Sequence, residues 1–399
     1  MFTTKVVSSN FAKKDILNHA SRLLFEARIL QIHYFINELR HLGPRSLSNF
    51  LRDLRVNLLQ DKLLKKNYNP RTKKLIMFVT PGFDIVCGGN LSISSVYEET
   101  MQLKHIHGAE SILCTIHGEP VLLKYTQFEN QNYIYRFSQV LSYFKNLQHL
   151  MIHVPEYCIG DFLKNVTYGN FIKLSKIESV QINIMLQNIE LLPPLRYIAK
   201  LKEFGKLTCT TAHEKYSTRE TRKQLGFPLH KLSVFVSPEQ YERRAYAEKE
   251  DLMVVSPDPH ADKWSIIKLI AKQFPKLRIQ IISNLTYEEY KKLISKAKWA
   301  LTFGEGLDNY FLETVFSGGI SFSVYNSNFF TEDFKSLRTV YDNYDVLIKK
   351  ICSDIRNLDN EKAYADYQEK QYALCSKHYN YKEYIKNLEL FYKGEYTYK

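Results

Sequence analysis

From residue 74 onward the chain is patterned by short runs that are apolar at nearly every position. KLIMFVT at 74–80 is the first, and 111–116, 148–154, 180–185 and 205–211 follow it. Side chains of a strand point alternately to opposite faces, so an unbroken apolar run marks a strand covered on both sides. Between the runs, 91–105, 135–146, 191–204 and 216–225 carry apolar residues three and four apart, the spacing of a helix with one buried face. Strand and helix in alternation predict a parallel sheet with helices on its faces. The segment 227–250 interrupts this rhythm and reads as a crossing between domains. The rhythm then resumes with strands at 251–256, 277–283, 297–303 and 320–325 and a helix at 264–274. The expected fold class is therefore α/β, with two doubly wound domains at 71–235 and 236–375.

The flanks read differently. Over 10–67, Ile16, Leu23, Leu24, Leu30, Ile32, Phe35 and Leu39 fall at helical steps with Arg22, Arg28 and Arg40 between them. Gly43-Pro44 breaks the run, and Ser46 or Ser48 can cap a second helix through Leu64. A helical extension over 1–70 is thus expected, able to pack on the core, to form a homodimer or to lie on a bilayer. Residues from 361 on are rich in Lys, Glu and Tyr and predict helix, the last piece (376–399) crossing back to the first domain.

The densest chemistry lies in KWALTFGEGLDNYFLETVFSGGISFSVYNSNFF, 298–330. A buried strand ends at Phe303, the corner Gly304-Glu305-Gly306 follows, and Asp308 or Asn309 caps a short helix to about Ser317. Gly318-Gly319 ends it before the next strand. The loop lies beyond the carboxyl end of a strand, where open α/β sheets bind ligands. Glu305 and Glu313 stand eight residues apart. Glu242/Glu250 and Glu361/Glu369 share that spacing but lack the strand–loop–helix context.

On these residues the chain resembles the nucleotide-sugar glycosyltransferases of the two-Rossmann-domain (GT-B) type, in the retaining, family-4-like group. That group's signature is Glu-x7-Glu, then a helix and a Gly before the next strand. The resemblance implies two Rossmann-like domains facing a cleft, Glu313 holding ribose hydroxyls, Glu305 facing the donor sugar, and Gly306, Leu307, Asp308 and Asn309 backing the donor. Gly88 and Gly89, after the first strand, match the family's glycine-rich loop beneath the donor diphosphate. Lys263 matches a Lys that opens a helix and holds the diphosphate. The Arg that should precede it near Ser256 is missing, and Arg243, Arg244 and Lys298 are the substitutes at hand. His117, His153 and His213 each sit near a strand end in the first domain, His153 and His213 being the catalytic candidates on the acceptor side. Gln187, Asn188 and Glu190 resemble a polar segment of bacterial polysaccharide rhamnosyltransferase-like members.

Composition narrows the alternatives. Hydrophobic content of 45% and charged content of 24% are those of a soluble globular protein. The start, MFTTKVVSSNFAKKD, lacks the apolar core of a secretory signal. The six cysteines are scattered without CxxC and read as reduced core residues. No Asp-x-Asp or HExxH occurs, so neither a metal nor any cofactor beyond the nucleotide-sugar substrate is expected. Residues 1–75 hold fifteen Lys and Arg against five Asp and Glu, which favours an anionic membrane surface as partner. No nucleic-acid motif accompanies them, so no nucleic-acid partner is expected. The expectation is a metal-independent transferase moving a sugar to a glycan or lipid-linked acceptor in bacterial capsule, O-antigen or other surface-polysaccharide synthesis. Its place would be the cytoplasm, or the inner face of the plasma membrane. A nucleotide-sugar epimerase and an inactive GT-B glycan-binding or chaperone subunit are the alternatives.

Overall fold

The computed structural model describes residues 44–399 except Val86, residues 117–119, Glu129 and residues 234–235. The first part of the expected helical extension, and His117, lie outside the described residues. The second part is the helix Pro44–Asn67. It is tied to the first domain where Gln60 Nε2 donates to the carbonyls of Leu122 and Ile134, at 3.0 and 2.7 Å.

Among the described residues the strands form two sheets, and every ladder in them is parallel. The first contains β1 (Lys74–Val79), β2 (Glu110–Thr115), β3 (Ile134–Arg136), β4 (His149–Pro155), β5 (Ser179–Leu186), β6 (Lys206–Thr211) and β7 (Leu229–Lys231). Their spatial order is β3-β2-β1-β4-β5-β6-β7. The second contains β8 (Glu250–Val255), β9 (Arg278–Ile281), β10 (Ala297–Leu301), β11 (Ile320–Val324) and β12 (Val340–Tyr341), in the order β12-β11-β10-β8-β9. The apolar runs explain the central strands: Leu75 to Val79 of β1 and Ala297 to Leu301 of β10 are buried without exception. Strand order reverses between β1 and β4, and again between β8 and β10. Loops leaving opposite sides of the sheet part at such points and open a crevice at the carboxyl ends.

Three strands escape the sequence pattern. β3 occupies the start of the stretch read as helix over 135–146, and the helix itself is shorter, Phe137–Tyr143. β7 and β12 have three and two residues, and all three sit at sheet edges, too brief to show a period. The helix expected from 91 begins earlier, as Gly88–Gln102, because Cys87 Sγ accepts from the amide of Asn90 and caps it. The two glycines therefore form its first turn instead of a loop before it.

The tail covers both domains. On the helix Glu361–His378, Tyr364 donates to the carbonyls of Lys298 and Gly318, at 2.8 and 3.0 Å, beneath the second sheet. The helix Tyr381–Tyr392 lies on the first domain, where the Tyr392 hydroxyl meets His153 Nε2 at 3.2 Å and the Asn387 carbonyl meets His230 Nε2 at 2.7 Å. An antiparallel bridge joins Leu229 to Tyr398. No helix of the described residues is long and apolar enough to cross a membrane.

Candidate active site between the two sheets

The loops leaving β1, β4, β5, β6, β8, β9 and β10 line a cleft of about 1060 Å³. Sites for small molecules run to roughly 300–1,000 Å³, so a ligand of nucleotide-sugar size fits. The first domain supplies the opening turn of Gly88–Gln102, in which Cys87 Sγ takes the amide of Asn90. A Cβ on Gly88 would stand 3.4 Å from Asn309 Nδ2, and one on Gly89 would stand 3.0 Å from Tyr157 Oη and 3.1 Å from Gln187 Oε1. Gly89 is thus packed closely by its own domain, while Gly88 meets Asn309 of the second at ordinary contact distance.

Glu305 comes from the corner after β10. Gly304 and Gly306 both have left-handed backbone, φ +67° and +81°, and a Cβ on Gly306 would stand 2.7 Å from Ser323 Oγ. The corner therefore demands glycine and points Glu305 across the cleft, where it accepts from Asn188 Nδ2 of the first domain. Glu190 and Asn328 make a second bond between the domains, at 2.9 Å. Burial, with the charge of Asp258 adding to it, pushes the Glu305 carboxyl up to about 7.

Glu313 lies on the helix Asn309–Phe316 and is 2% exposed. Its Oε1 accepts from Tyr241 at 2.7 Å and from Tyr287 at 3.0 Å, and burial pushes it up to about 7. Ile282, Leu285, Tyr290, Tyr310 and Leu312 make the surrounding wall apolar and aromatic. Asp308 caps this helix by accepting from the amide of Phe311 at 3.0 Å, and burial raises its carboxyl well above the usual range. Leu307 and Asn309 line the cleft beside it.

His213 lines the cleft, 6% exposed, between the rings of Tyr216 and Phe329, and burial lowers it to about 4. It is therefore neutral near pH 7, and its Nδ1 has no hydrogen-bond partner among the described residues. Three other expected site residues are not brought to the cleft. His153 points into the layer covered by Tyr381–Tyr392: it stacks on Phe78 at 4.3 Å, and Asn183 and Tyr392 occupy its two nitrogens. Burial lowers it to about 3, which fits a structural imidazole. Lys263 Nζ donates to the carbonyls of Ser256 and Asp258, at 2.6 and 2.9 Å, so it fastens the loop after β8 from beneath. Gly306 is packed under the loop against β11.

The suggested stand-ins for the missing Arg are also engaged elsewhere. Arg243 pairs with Glu369, Arg244 with Glu242, and Lys298 with Asp251 and Asp359. No Lys or Arg is among the described residues lining the cleft, which include Glu156, Asp161, Asp258, Glu305, Asp308 and Glu313. Helix N-termini supply positive potential for an anion there. No group of three His, Cys, Asp or Glu among the described residues is arranged to hold a metal ion.

Sequence reasoning missed Glu156. It is 1% exposed, and its two oxygens accept from the amides of Gln187 and Asn188, at 3.1 and 2.9 Å, fixing the loop that delivers Asn188 to Glu305. Burial pushes it up to about 7. Its signal was a lone carboxylate directly after the apolar run of β4, at the reversal of strand order. Tyr241 and Tyr287 were missed as well, because nothing local ties them to Glu313.

No family model matches the chain, and no curated protein matches it. Solved structures similar to it include TarM, at 10% identity and a TM-score of 0.49, covering 81% of this chain and 100% of that one. Anabaena HepE in complex with UDP-glucose is 8% identical with a TM-score of 0.46, covering 80% and 99%. Staphylococcus aureus MnaA with UDP is 12% identical with a TM-score of 0.44, covering 82% and 98%. By its own strand orders and the cleft they open, the chain is an α/β protein of two Rossmann-like domains, the GT-B arrangement.

Proposed function

We propose that the protein is a glycosyltransferase that takes a sugar from a nucleotide-sugar donor and passes it, with retention, to a glycan or lipid-linked acceptor. The observation that carries this reading is the placement of the two motif carboxylates in one cleft, Glu313 within an aromatic wall and Glu305 at the junction of the domains. Glu313 Oε2 accepts a ribose hydroxyl, and the tyrosine wall covers the base. The diphosphate lies between the first turns of Gly88–Gln102 and Asn309–Phe316, whose amides stabilise the charge that grows on it as its bond to the sugar breaks. Glu305 accepts from the sugar's hydroxyls. His213, neutral and at the edge of the cleft, lies on the acceptor side. The acceptor hydroxyl's oxygen bonds to the sugar carbon while its proton passes to the departing phosphate. Lys263 acts by holding the Ser256–Asp258 loop. A surface-polysaccharide setting, a cytoplasmic location and membrane docking through 1–75 belong to the same proposal and rest on the sequence.

A panel of nucleotide sugars tested by thermal shift, then by transfer to glycan acceptors, checks this reading, since a ligand of the native state raises its melting temperature. Transfer is expected to survive EDTA, and a strict requirement for Mn²⁺ or Mg²⁺ would count against it. The want of Lys and Arg among the described residues of the cleft favours a second reading, a non-catalytic subunit that binds glycan. Glycan binding without any nucleotide binding would establish that one. Product formed without acceptor would instead point to an epimerase.

A further inference from the structure

We infer that Tyr241 and Tyr287 are positioning residues for Glu313, and that Tyr241 ties this carboxylate to the crossing between the two domains. The inference rests on the ribose-binding role proposed for Glu313. The Tyr241 and Tyr287 hydroxyls stand 2.7 and 3.0 Å from Glu313 Oε1 and 2.9 Å from each other. Three oxygens in mutual contact need three protons for three hydrogen bonds, and the two phenols bring two. A protonated Glu313 completes the ring, donating to one tyrosine and accepting from the other. An ionised Glu313 receives two charge-assisted bonds and leaves the tyrosine pair facing each other without one. In both states Oε1 is saturated inside the protein, and a ligand has to share what remains of the carboxylate with the Tyr290 hydroxyl that also faces it. The two phenols therefore decide which oxygen is offered and in what orientation.

The groups facing Glu313 come from three segments. Tyr241 belongs to the crossing, Tyr287, Tyr290 and Lys291 to the helix Tyr287–Lys296, and Asp308 and Tyr310 to its own loop and helix. After Tyr241 the crossing is fastened to the far end of the Glu313 helix. The amide of Arg244 donates to the Ser317 carbonyl at 3.2 Å, and Lys249 Nζ donates to the carbonyls of Ser317 and Ser295, at 2.9 and 3.0 Å. The Arg243 guanidinium lies 3.9 Å over the ring of Tyr372. The connection between the domains thus passes against the middle and the carboxyl end of the element that presents Glu313.

The test compares Tyr241→Phe, Tyr287→Phe and the double variant with the parent. Phenylalanine keeps the rings and removes only the hydroxyls, and thermal melting verifies folding. Calorimetry at pH 6, 7 and 8 uses the four ribonucleoside diphosphates and their 2′-deoxy counterparts, with Glu313→Gln as reference. The expected result is that the parent prefers ribose, that the double variant loses about tenfold of this preference, and that the pH dependence of binding changes with it. KM for the sugar donor rises while kcat holds. Phe variants that keep the parent's preference and pH profile would overturn the inference with the ribose reading intact. A parent that shows no preference with any of the probes overturns the ribose reading itself, and the role of the tyrosines falls with it.

Discussion

Glu156, Glu305 and Glu313 share one cleft, and burial holds each near 7 instead of the ordinary carboxylate range. A carboxyl raised in the folded state favours its protonated form there. Its contribution to stability is full below the unfolded value of about 4.5 and is lost as pH rises through about 7. The parent should therefore lose melting temperature between pH 5 and 8, and Glu313→Gln should flatten part of that slope. A variant whose slope matches the parent's would exclude Glu313 as a contributor. Ligand binding runs the opposite way, because the ionised carboxylate accepts hydroxyls more strongly, so donor affinity should rise across the same interval. In calorimetry with the nucleoside diphosphate, Glu313→Gln should weaken binding by about 1.5–3 kcal/mol, roughly ten- to a hundredfold. Glu305→Ala should lower transfer while barely changing that affinity. The placement of Glu305 and Glu313 at the cleft was legible because their spacing falls on a strand–loop–helix. His153 and Lys263 were not, because a residue's nearness to a strand end does not reveal which side of the layer it faces or which carbonyls await it. His153 turns toward the returning helix, and Lys263 finds two carbonyls of its own loop.

The elements that sequence disclosed best are those buried on both faces. β1, β4, β5 and β10 are mostly apolar because a polar side chain there needs a buried partner, as His153 and Asn183 are to each other, so composition and location carry much the same information. Edge strands of two or three residues bury too little to leave a pattern, which is why β3, β7 and β12 emerged only in the fold. Glycine is where local sequence and tertiary packing meet most sharply. Gly318 has φ +87°, and a Cβ there would lie 2.3 Å from the carbonyl oxygen of Arg244 in the crossing. Gly108 has a similar φ of +66° with nothing within 4 Å. Gly108→Ala should thus cost only the conformational term, about 1–2 kcal/mol. Gly318→Ala must also displace backbone, so it should cost clearly more in urea unfolding. Equal costs would mean that the crossing yields without resistance.

At the scale of the molecule, the two domains are joined by more than the crossing at their junction. The helix Tyr381–Tyr392 covers His153 and Thr100 of the first domain, and Tyr398 extends the edge at β7. Removing 379–399 should leave β8 and β10 protected in hydrogen exchange while β4 and β7 lose protection. Uniform loss across both sheets would show instead that the tail supports the whole molecule at once. The cleft, by contrast, was only half legible: its floor follows from strand order, but the want of Lys and Arg among its described residues depends on where distant side chains turn. The returning helix also imposes a timetable on synthesis. His230 must wait for Asn387 and Thr397, 157 and 167 positions later, before its ring is sealed. At roughly 5–20 residues per second that delay is on the order of ten to thirty seconds, with the β7 edge bare throughout. A ribosome-bound chain displaying the first domain without the tail would present that edge to chaperones, and the arrival of the tail would be what releases them.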